Sequence, residues 1–506
     1  DTKGVIVLGA ASFATFELPW LLDANGKTER SFNWTKGEKY PQFATADSKK
    51  VYRLISVAGY GSVEAGGSVL VGLGETPTMA SVAYGEEGSA FTIVVTQNDK
   101  DAYALGVTIP EGATEEPEGT WKGTLAADIV VDFSFEAKGD SSWLNVEGDV
   151  YEIGTPDQLI ALRAAVIGGN TFEGKTIKLT SNIDMTGKTF VGISSEEKLF
   201  KGTLDGQDHK ISGLEIVSAE KSNMALFPIM DGTTVKNLVV AGKVEGKNNV
   251  GLIAGYMKNG SVIENCVLVE GSSITGVECV GGAAGRVSFD SSITGCSSRV
   301  VPAEGENEAI VVAVSADKYA GGIAGWIEAA PETEEAAQAE EGEPAEPAEP
   351  AEPTVQVKDC VNRARVAANQ YTGGIAGIIE NGGTISGCSN SGEVKGSNVY
   401  TGGIVASVGE NGTVTGCTNS APVSGTQYLG GIAGVAENGS SFIDCLNDVD
   451  GTPNGSGSCV GGILGKLELN GKLLRCENRA NITISASEIG GIVGSNYVDM
   501  RGTAVD

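Results

Sequence analysis

The stretch Thr372-Gly-Gly-Ile-Ala-Gly377 decides the fold, because close copies of it recur through the C-terminal two thirds of this 506-residue chain. The first glycines of successive copies are separated by 30, 40, 52, 29, 28, 31 and 29 residues. The other copies begin at Val250, Val280, Ala320, Thr401, Leu429, Val460 and Ile489. A period of this length is typical of a solenoid, in which each coil packs on its neighbours.

The rest of each repeat keeps a matching spacing. A cysteine stands 11 residues after the motif, an aliphatic residue or Phe three residues before that cysteine, and usually an asparagine two residues after it. The cysteines are Cys266, Cys296, Cys360 (once an insertion is removed), Cys388, Cys417, Cys445 and Cys476, and the asparagines are Asn362, Asn390, Asn419, Asn447 and Asn478. This pattern predicts a right-handed parallel β-helix of nine to eleven coils, with three strands and about 29 residues per coil.

The repeated residues suggest specific roles in a coil. We expect cysteine and aliphatic side chains to fill the interior, and asparagine amides to bond corner backbone groups and the asparagines of adjacent coils. Gly-Gly is expected at a corner that needs positive φ, with the small last residue of the motif leaving room for a large one across the core. Because the nine cysteines are odd in number and seven share one repeat position, we predict buried free thiols.

Composition limits the partners. With 35 Lys and Arg against 65 Asp and Glu, the formal net charge is −30, which repels nucleic acids and anionic membrane surfaces, so no nucleic-acid partner is expected. No apolar run reaches about 18 residues, so we expect no direct membrane insertion. The sequence starts at Asp1 without a basic-then-apolar leader, which is compatible with a processed secreted protein.

Residues 1–145 have the pattern of a β domain. Short apolar or alternating runs at 5–8, 68–71, 91–95, 104–109 and 128–135 are separated by Gly, Pro, Asn and Asp clusters. This predicts an immunoglobulin-like β-sandwich, or two small β units, with an extra hairpin after the acidic linker 111–118.

A helix and an insertion complete the second domain, which is predicted to span residues 146–506. The helix is expected near 156–166, with Thr155 as N-cap, Pro156 at the first position and Gln158 completing a capping box. Placed before a solenoid, it would cover the open end of the first coil. Residues 329–353 are rich in Pro, Ala and Glu and predict a disordered acidic loop pushed out of one coil.

The motif, the cysteine, the asparagine and the entry Tyr151-Glu-Ile-Gly-Thr-Pro-Asp-Gln-Leu-Ile-Ala-Leu-Arg163 resemble the GLUG-motif β-helix proteins of bacterial cell surfaces, many of them from gut Bacteroidetes. The resemblance covers about residues 146–506, and the N-terminal region carries none. It implies a surface protein of the adhesin type and supplies no active site. Related repeats accompany immunoglobulin A1 metalloproteases, whose zinc motif His-Glu-x-x-His is absent from this sequence.

Candidate catalytic residues are few. The single histidine, His209, lies in the turn Asp205-Gly-Gln-Asp-His209, where turn formation explains it better than a metal site or a proton shuttle. Asp184, Asp205 and Asp208 are the carboxylates available to the alternative hypothesis, a polysaccharide-degrading β-helix lyase or glycoside hydrolase. We expect no catalytic residue, no metal and no cofactor.

The candidate ligand-binding residues are Tyr319, Tyr371, Tyr400 and Tyr428, each two positions before the first glycine of its motif. If the intervening residue points inward, the tyrosines form an outer stripe on four consecutive coils; otherwise they point inward, or they merely stabilise neighbouring coils. Aromatic side chains bind sugar rings and anchor protein interfaces.

We therefore predict an adhesin-like binding protein whose rigid, elongated β-helix presents a surface to a glycan or to a host or bacterial surface protein. Its expected location is extracellular or at the outer cell surface, with a lipid anchor on a removed leader as one option. A third hypothesis makes the solenoid a spacer that displays the N-terminal domain.

Overall fold

The computed structural model describes residues 82–97, 103–107, 109–145, 148–269, 271–299, 313–329, 355–449, 458–482 and 486–496, with shorter stretches at 19, 34–36, 42–43, 45, 48–58, 67–73 and 454–455. The chain divides into two compact units, Asp1–Lys138 and Gly139–Asp506. The predicted strand at 5–8 and residues 330–353 of the predicted acidic loop lie outside the described residues.

The first unit contains two four-stranded sheets. One has the order Val82–Glu86, Val51–Ala58, Ile129–Ala137, Tyr103–Val107, with a parallel central pair and antiparallel outer pairs. The other is antiparallel, in the order Gly67–Leu73, Ala90–Gln97, Thr120–Thr124, Thr114–Glu115, and a separate antiparallel pair joins Trp34–Thr35 to Gln42–Phe43. Thr114–Glu115, within the acidic linker, thus forms one strand of a hairpin, whereas the hairpin was predicted to follow the linker. An immunoglobulin-like arrangement of these sheets stays a prediction.

An α-helix, Pro156–Ile167, lies at the start of the second unit. Thr155 Oγ1 accepts a hydrogen bond from the Gln158 backbone N–H at 3.2 Å, and Gln158 Oε1 accepts one from the Gly154 N–H at 2.8 Å. The first bond satisfies an N–H group that the first turn of a helix leaves without an intrahelical partner, and the second joins the helix to the residue before its N-cap. The apolar face of the helix, centred on the fully buried Leu162, belongs to the same core as the first coils.

The rest of the second unit is a β-solenoid whose parallel strands form three sheets, here called sheets 1, 2 and 3. Sheet 1 has 11 strands: Val150–Ile153, Thr176–Leu179, Thr203–Asp205, Thr234–Lys236, Val262–Glu264, Ser292–Thr294, Gln356–Lys358, Thr384–Ser386, Thr413–Thr415, Ser441–Ile443 and Lys472–Leu474. Sheet 3 has nine: Phe227–Asp231, Ala254–Lys258, Ala284–Ser288, Ala324–Glu328, Ala376–Glu380, Val405–Val408, Ala433–Ala436, Leu464–Leu467 and Val493–Asn496. The solenoid therefore has about 10 coils of about 29 residues, as predicted.

Sheet 2 has 22 strands because each regular coil contributes more than one strand to it. They are Ile183–Asp184, Lys210–Val217, Val239–Glu245, Asn248–Val250, Val267–Val269, Ser273–Thr275, Glu278–Gly281, Ser297–Arg299, Ala313–Gly321, Val361–Asn362, Arg365–Gly373, Ser389–Asn390, Val394–Gly396, Tyr400–Gly402, Thr418–Asn419, Val423–Gly425, Tyr428–Gly430, Leu446–Asn447, Asn454–Gly455, Cys459–Gly461, Glu477–Asn478 and Glu488–Gly490. A short 3₁₀-helix, Ser142–Asn145, precedes the solenoid and buries Trp143 in its core.

The prediction of three strands per coil is wrong for the regular coils. The coil that begins with Ala376–Glu380 has one strand on sheet 3, one on sheet 1 and three on sheet 2. The sheet 2 side is divided because the Asn390 side chain bends the backbone: its amide donates to the Gly392 carbonyl at 3.1 Å and its carbonyl accepts from the Gly392 N–H at 3.2 Å. Every second residue faces inward on both sides of this bend, so the spacing of buried residues in the sequence does not reveal the bend.

Most inward side chains form one continuous core along the solenoid, and a second, smaller cluster consists of Val394, Val423, Leu429 and Val460. Sheet 1 contributes a ladder of apolar residues that are at most 3% exposed, Ile263, Ile293, Val357, Ile385, Val414, Phe442 and Leu473. The seven repeat cysteines lie in or against the same core, and all nine cysteines are free, eight of them buried. The predicted interior ladders of cysteine and aliphatic residues are confirmed.

The asparagine ladder is also confirmed. Side-chain amides donate to one another between coils at 2.8 to 3.1 Å along Asn362, Asn390, Asn419, Asn447 and Asn478. Each coil thereby satisfies buried polar groups of its corner and joins the next coil with the same side chain. In the preceding coil Ser298 takes the position, and its hydroxyl donates to Asn362 Oδ1 at 2.9 Å.

Close packing of the backbone requires glycine at both positions of the pair. The prediction that these glycines have positive φ is wrong. A Cβ on Gly373 would lie 1.9 Å from a backbone oxygen of its own corner, and one on Gly374 would lie 2.1 Å from a backbone oxygen of the next coil. A Cβ on Gly377 would lie 2.7 Å from the backbone of Tyr319, so the motif ends in a small residue because of that backbone and not because of a large residue across the core. The left-handed position falls earlier, at Tyr371 (φ 51°).

Candidate functional site

The four tyrosines lie at one end of sheet 2, immediately before the corner to sheet 3. The residues that follow them are at most 1% exposed, namely Ala320, Thr372, Thr401 and Leu429. Since successive side chains of a strand alternate in direction, the tyrosine rings lie on the outer side of the coils. Tyr319 is 8% exposed, and Tyr371, Tyr400 and Tyr428 are half-buried.

The rings contact one another from coil to coil. Ring centroids are 4.8 Å apart for Tyr319 and Tyr371, 5.0 Å for Tyr371 and Tyr400, and 5.2 Å for Tyr400 and Tyr428. These separations match the strand spacing of a sheet, about 4.8 Å, so each coil adds one ring. The alternative in which the tyrosines point into the solenoid is therefore wrong.

Residues of sheet 3 continue the series toward the N-terminal coils. Trp326 lies 4.9 Å from Tyr319, and the Arg286 guanidinium lies over Trp326 on one side (5.0 Å) and over Tyr256 on the other (5.3 Å). We call the six rings and this guanidinium the aromatic column: Tyr256, Arg286, Trp326, Tyr319, Tyr371, Tyr400 and Tyr428. Sequence spacing alone does not predict its continuation, because the sheet 3 members occupy a different repeat position.

Cations flank both ends of the tyrosine series. Lys318 Nζ lies 4.4 Å from the centre of the Tyr319 ring, and Lys466 Nζ lies 5.9 Å from that of Tyr428. Both are within the distance at which a cation is attracted to the face of an aromatic ring.

A small apolar cluster outside the main core includes rings of the column. Cys279, Tyr319 and Ile378 form it, and Trp326 and Tyr371 pack against it. Burial raises the pKa of the Cys279 thiol to about 12, so this cysteine is a packing residue and not a nucleophile. Tyr319 and Tyr371 therefore pack within an apolar cluster, and Tyr371, Tyr400 and Tyr428 are half-exposed.

Two column residues have a backbone conformation that large side chains rarely adopt. Tyr319 and Tyr371 have φ of 61° and 51°, and Cys279 and Asn249 occupy the same position in earlier coils with φ of 57° and 55°. Asparagine tolerates the left-handed region, whereas a tyrosine in it has a higher conformational energy. With this backbone conformation the Tyr319 and Tyr371 rings pack near the following sheet 3 strands, against Trp326 and in the cluster with Ile378 respectively.

Four carboxylates form a row beside the column, which we call the carboxylate row: Glu328, Glu380, Glu437 and Glu468. Glu328 pairs with Arg286, and Glu468 pairs with Lys466 at 2.8 Å. Glu437 accepts a hydrogen bond from the Ser407 hydroxyl at 3.1 Å. This row was not predicted, although Glu before Asn-Gly recurs at Glu380, Glu410 and Glu437 and was the available signal for two of its four members.

Within the described part of the chain, Glu380 has no ion pair and no side-chain hydrogen bond. Burial raises its pKa, and the neighbouring charges of Glu328 and Glu437 raise it further. The pKa of Tyr400 is raised by burial and by the adjacent Tyr428, and also by the charges of Glu437 and Glu468.

The aspartates proposed for an enzyme serve the turns. Asp184 accepts hydrogen bonds from the Thr186 hydroxyl and N–H at 2.6 and 3.0 Å, and these bonds lower its pKa. Asp205 is 6% exposed, and although burial opposes ionisation, hydrogen bonds from Asn237 and Gln207 give it a lowered pKa. A carboxylic acid that protonates a leaving group needs the opposite shift.

Asp208 and His209 complete the turn that begins at Asp205. Asp208 has φ of 60°, and the His209 N–H donates to the Gly206 carbonyl at 2.8 Å. In the described residues no group of three or more His, Cys, Asp or Glu side chains is placed to hold a metal ion. No helix in the described part of the chain is long and apolar enough to cross a membrane.

Comparisons with known proteins agree with the resemblance in the sequence. Residues 368–395 match the GLUG motif family. Over 164 residues the chain is 31% identical to halomucin of Haloquadratum walsbyi, a match that covers 30% of this chain and 2% of halomucin. The chain thus spans a very small part of that relative's length.

Among solved structures, one described as a putative immunoglobulin A1 protease from Bacteroides ovatus is similar over 70% of this chain and 84% of its own, at 17% identity and a TM-score of 0.36. That TM-score supports no argument about function. The chain is a parallel β-solenoid protein that carries the GLUG motif at residues 368–395.

Proposed function

We propose that this chain is a secreted or surface-displayed binding protein of the adhesin type, and that the aromatic column is its ligand-binding face for a glycan or a surface protein. The observation that carries the proposal is the continuous, half-exposed column across consecutive coils. Tyr and Trp contribute large contact areas at low entropic cost, and they dominate the energetics of many binding surfaces. The GLUG motif and the halomucin match support an outer-surface location.

The test is binding of the whole chain to an array of glycans and to immobilised surface proteins. A Tyr371→Ala/Tyr400→Ala double variant should lose at least about tenfold in affinity, since aromatic hot-spot residues each contribute about 2 kcal/mol or more. The matched control is Phe289→Ala, because Phe289 is an aromatic residue outside the column with 38% exposure. Unchanged binding by a folded double variant would show that the column is not part of the binding site.

One observation favours the alternative, a polysaccharide-degrading enzyme. Burial raises the pKa of both Glu380 and Glu437, which is the direction expected for a carboxylic acid that donates a proton to a leaving group. The chain would then release reducing ends or unsaturated products from a polysaccharide, and Glu380→Gln/Glu437→Gln would abolish the release. An absence of new ends with neutral and acidic polysaccharides would exclude this alternative for the substrates tested.

A further inference from the structure

We propose that the ligand of the aromatic column is a linear, uncharged, hydroxyl-rich glycan that lies parallel to the solenoid axis, with about one sugar ring per coil. This inference rests on the proposed function and narrows its ligand class. Three features of the column and its surroundings support it: the regular spacing of the rings, the carboxylates along one side, and the cations at the two ends.

The column repeats by translation. Tyr400 and Tyr428 are register partners, and the three ring separations in the tyrosine series differ by only 0.4 Å, from 4.8 to 5.2 Å. Such a surface offers the same contact again at each coil. A linear polymer whose own repeat is close to the coil spacing can make that contact several times, which raises its overall affinity without a new kind of contact.

The carboxylate row has spare acceptor capacity at Glu380, whereas Glu328, Glu437 and Glu468 already have side-chain partners. Glu380 has no side-chain partner among the described residues and lies between the charges of Glu328 and Glu437. Sugar hydroxyl groups are donors that would satisfy these oxygens in a half-buried setting. An acidic glycan would instead bring a further negative charge to the row, in a chain whose formal net charge is already −30.

The ends of the column disfavour a cationic polymer. Arg286 and Lys318 lie at one end of the tyrosine series and Lys466 at the other. Because Arg286 already pairs with Glu328 and Lys466 with Glu468, a polycation that spans the column would have to displace these side chains to reach the two carboxylates. An uncharged chain of hydroxyl groups is compatible with both environments.

The experiment is calorimetric titration of the full chain with β-1,4-linked oligomers of glucose, xylose, mannose and N-acetylglucosamine, two to six sugars long, and with oligogalacturonate of matched length. We expect at least one neutral series to bind, with affinity rising at least tenfold between two and four sugars, and oligogalacturonate to bind at least tenfold more weakly. Affinity that does not depend on length, or tighter binding of oligogalacturonate, would overturn the inference.

Variants distinguish the contribution of the carboxylate row to binding from that of the aromatic column. Glu380→Gln/Glu437→Gln should lower the affinity for the neutral ligand about fivefold. The same variant should be more thermally stable at neutral pH, because an ionised carboxylate whose pKa is raised by folding destabilises the folded state. Unchanged affinity in this variant would overturn the role of the row. Tyrosine-dependent binding of a surface protein, with no oligosaccharide bound, would overturn the glycan inference and leave the proposed function intact. Glycan binding that Tyr371→Ala/Tyr400→Ala does not weaken would contradict both.

Discussion

At the scale of single residues, the unusual feature is a large aromatic ring in left-handed backbone conformation. Tyr371 has φ of 51°, a region that costs an L-residue with a bulky side chain roughly 1–2 kcal/mol. The chain itself places asparagine at the equivalent position in an earlier coil, Asn249. A ring at Tyr371 therefore has to be favoured by its contacts, which are those with Tyr319, with Tyr400 and with the apolar cluster that Tyr319 belongs to.

We expect Tyr371→Asn to destabilise the solenoid less than Tyr371→Ala, by about 0.5–1 kcal/mol, although both remove the ring. Tyr428 is the matched control, because it is not among the positive-φ residues and the two substitutions should cost the same there. Denaturant unfolding of the four variants measures the difference. Equal costs for both changes at Tyr371 would show that the backbone conformation carries no energetic penalty.

At the scale of the elements, the asparagine ladder joins coils that are otherwise held by strand pairing and core packing. Asn390 is completely buried and makes hydrogen bonds to Asn362, to Asn419 and to its own corner. Removing one member leaves a donor and an acceptor in the adjacent coils without partners, and buried groups in that state cost about 1–3 kcal/mol each. The ladder thus makes the stability of each coil depend on its neighbours.

We expect Asn390→Ala to lower the free energy of unfolding by about 2 kcal/mol, and Asn390→Ala/Asn419→Ala to cost about 1 kcal/mol less than the sum of the single changes. The second change costs less because it removes a group that the first has already left unpaired. Asn362→Ala/Asn447→Ala is the control, since those residues share no partner and their costs should add. Additive costs in the adjacent pair would mean that the ladder does not couple the coils.

At the scale of the whole molecule, the solenoid continues across the long acidic insertion. Trp326 before it pairs with Ile378 of the next coil, and Val357 after it pairs with Ile385. Ala329 and Val355, which border residues 330–354, are both buried. The repeat therefore keeps its register although 52 residues separate the two first glycines.

We expect replacement of residues 330–354 by a single glycine to keep the solenoid folded and to raise the free energy of unfolding by up to about 2 kcal/mol, because a shorter loop costs less closure entropy. The replacement leaves three residues between the flanking strands, as in the regular turn between Glu380 and Thr384. A Gly-Ser segment of the original length is the control and should leave stability unchanged. Lower stability of the shortened chain would show that the segment packs on the coils.

Much of the fold was predictable because the same local chemistry recurs in every coil. The motif period predicted the solenoid and its number of coils, and the shared position of the cysteines predicted buried free thiols. The strand count was not predictable, because the Asn390 bend lies between inward-facing residues. The roles of Gly373 and Gly374 were also missed, since they depend on close backbone contacts, with the same corner for Gly373 and with the next coil for Gly374, and not on their own φ.

The candidate site was predictable in part. The sequence by itself determined that Tyr319, Tyr371, Tyr400 and Tyr428 share one repeat position, because a constant period keeps equivalent residues in register from coil to coil. Only the tertiary structure decided that Arg286 and Trp326 extend the column and that Glu380 lies beside it. Those residues occupy other repeat positions across the corner between sheets 2 and 3. Their proximity depends on the angle of that corner, which the packing of neighbouring coils sets and the repeat period does not encode.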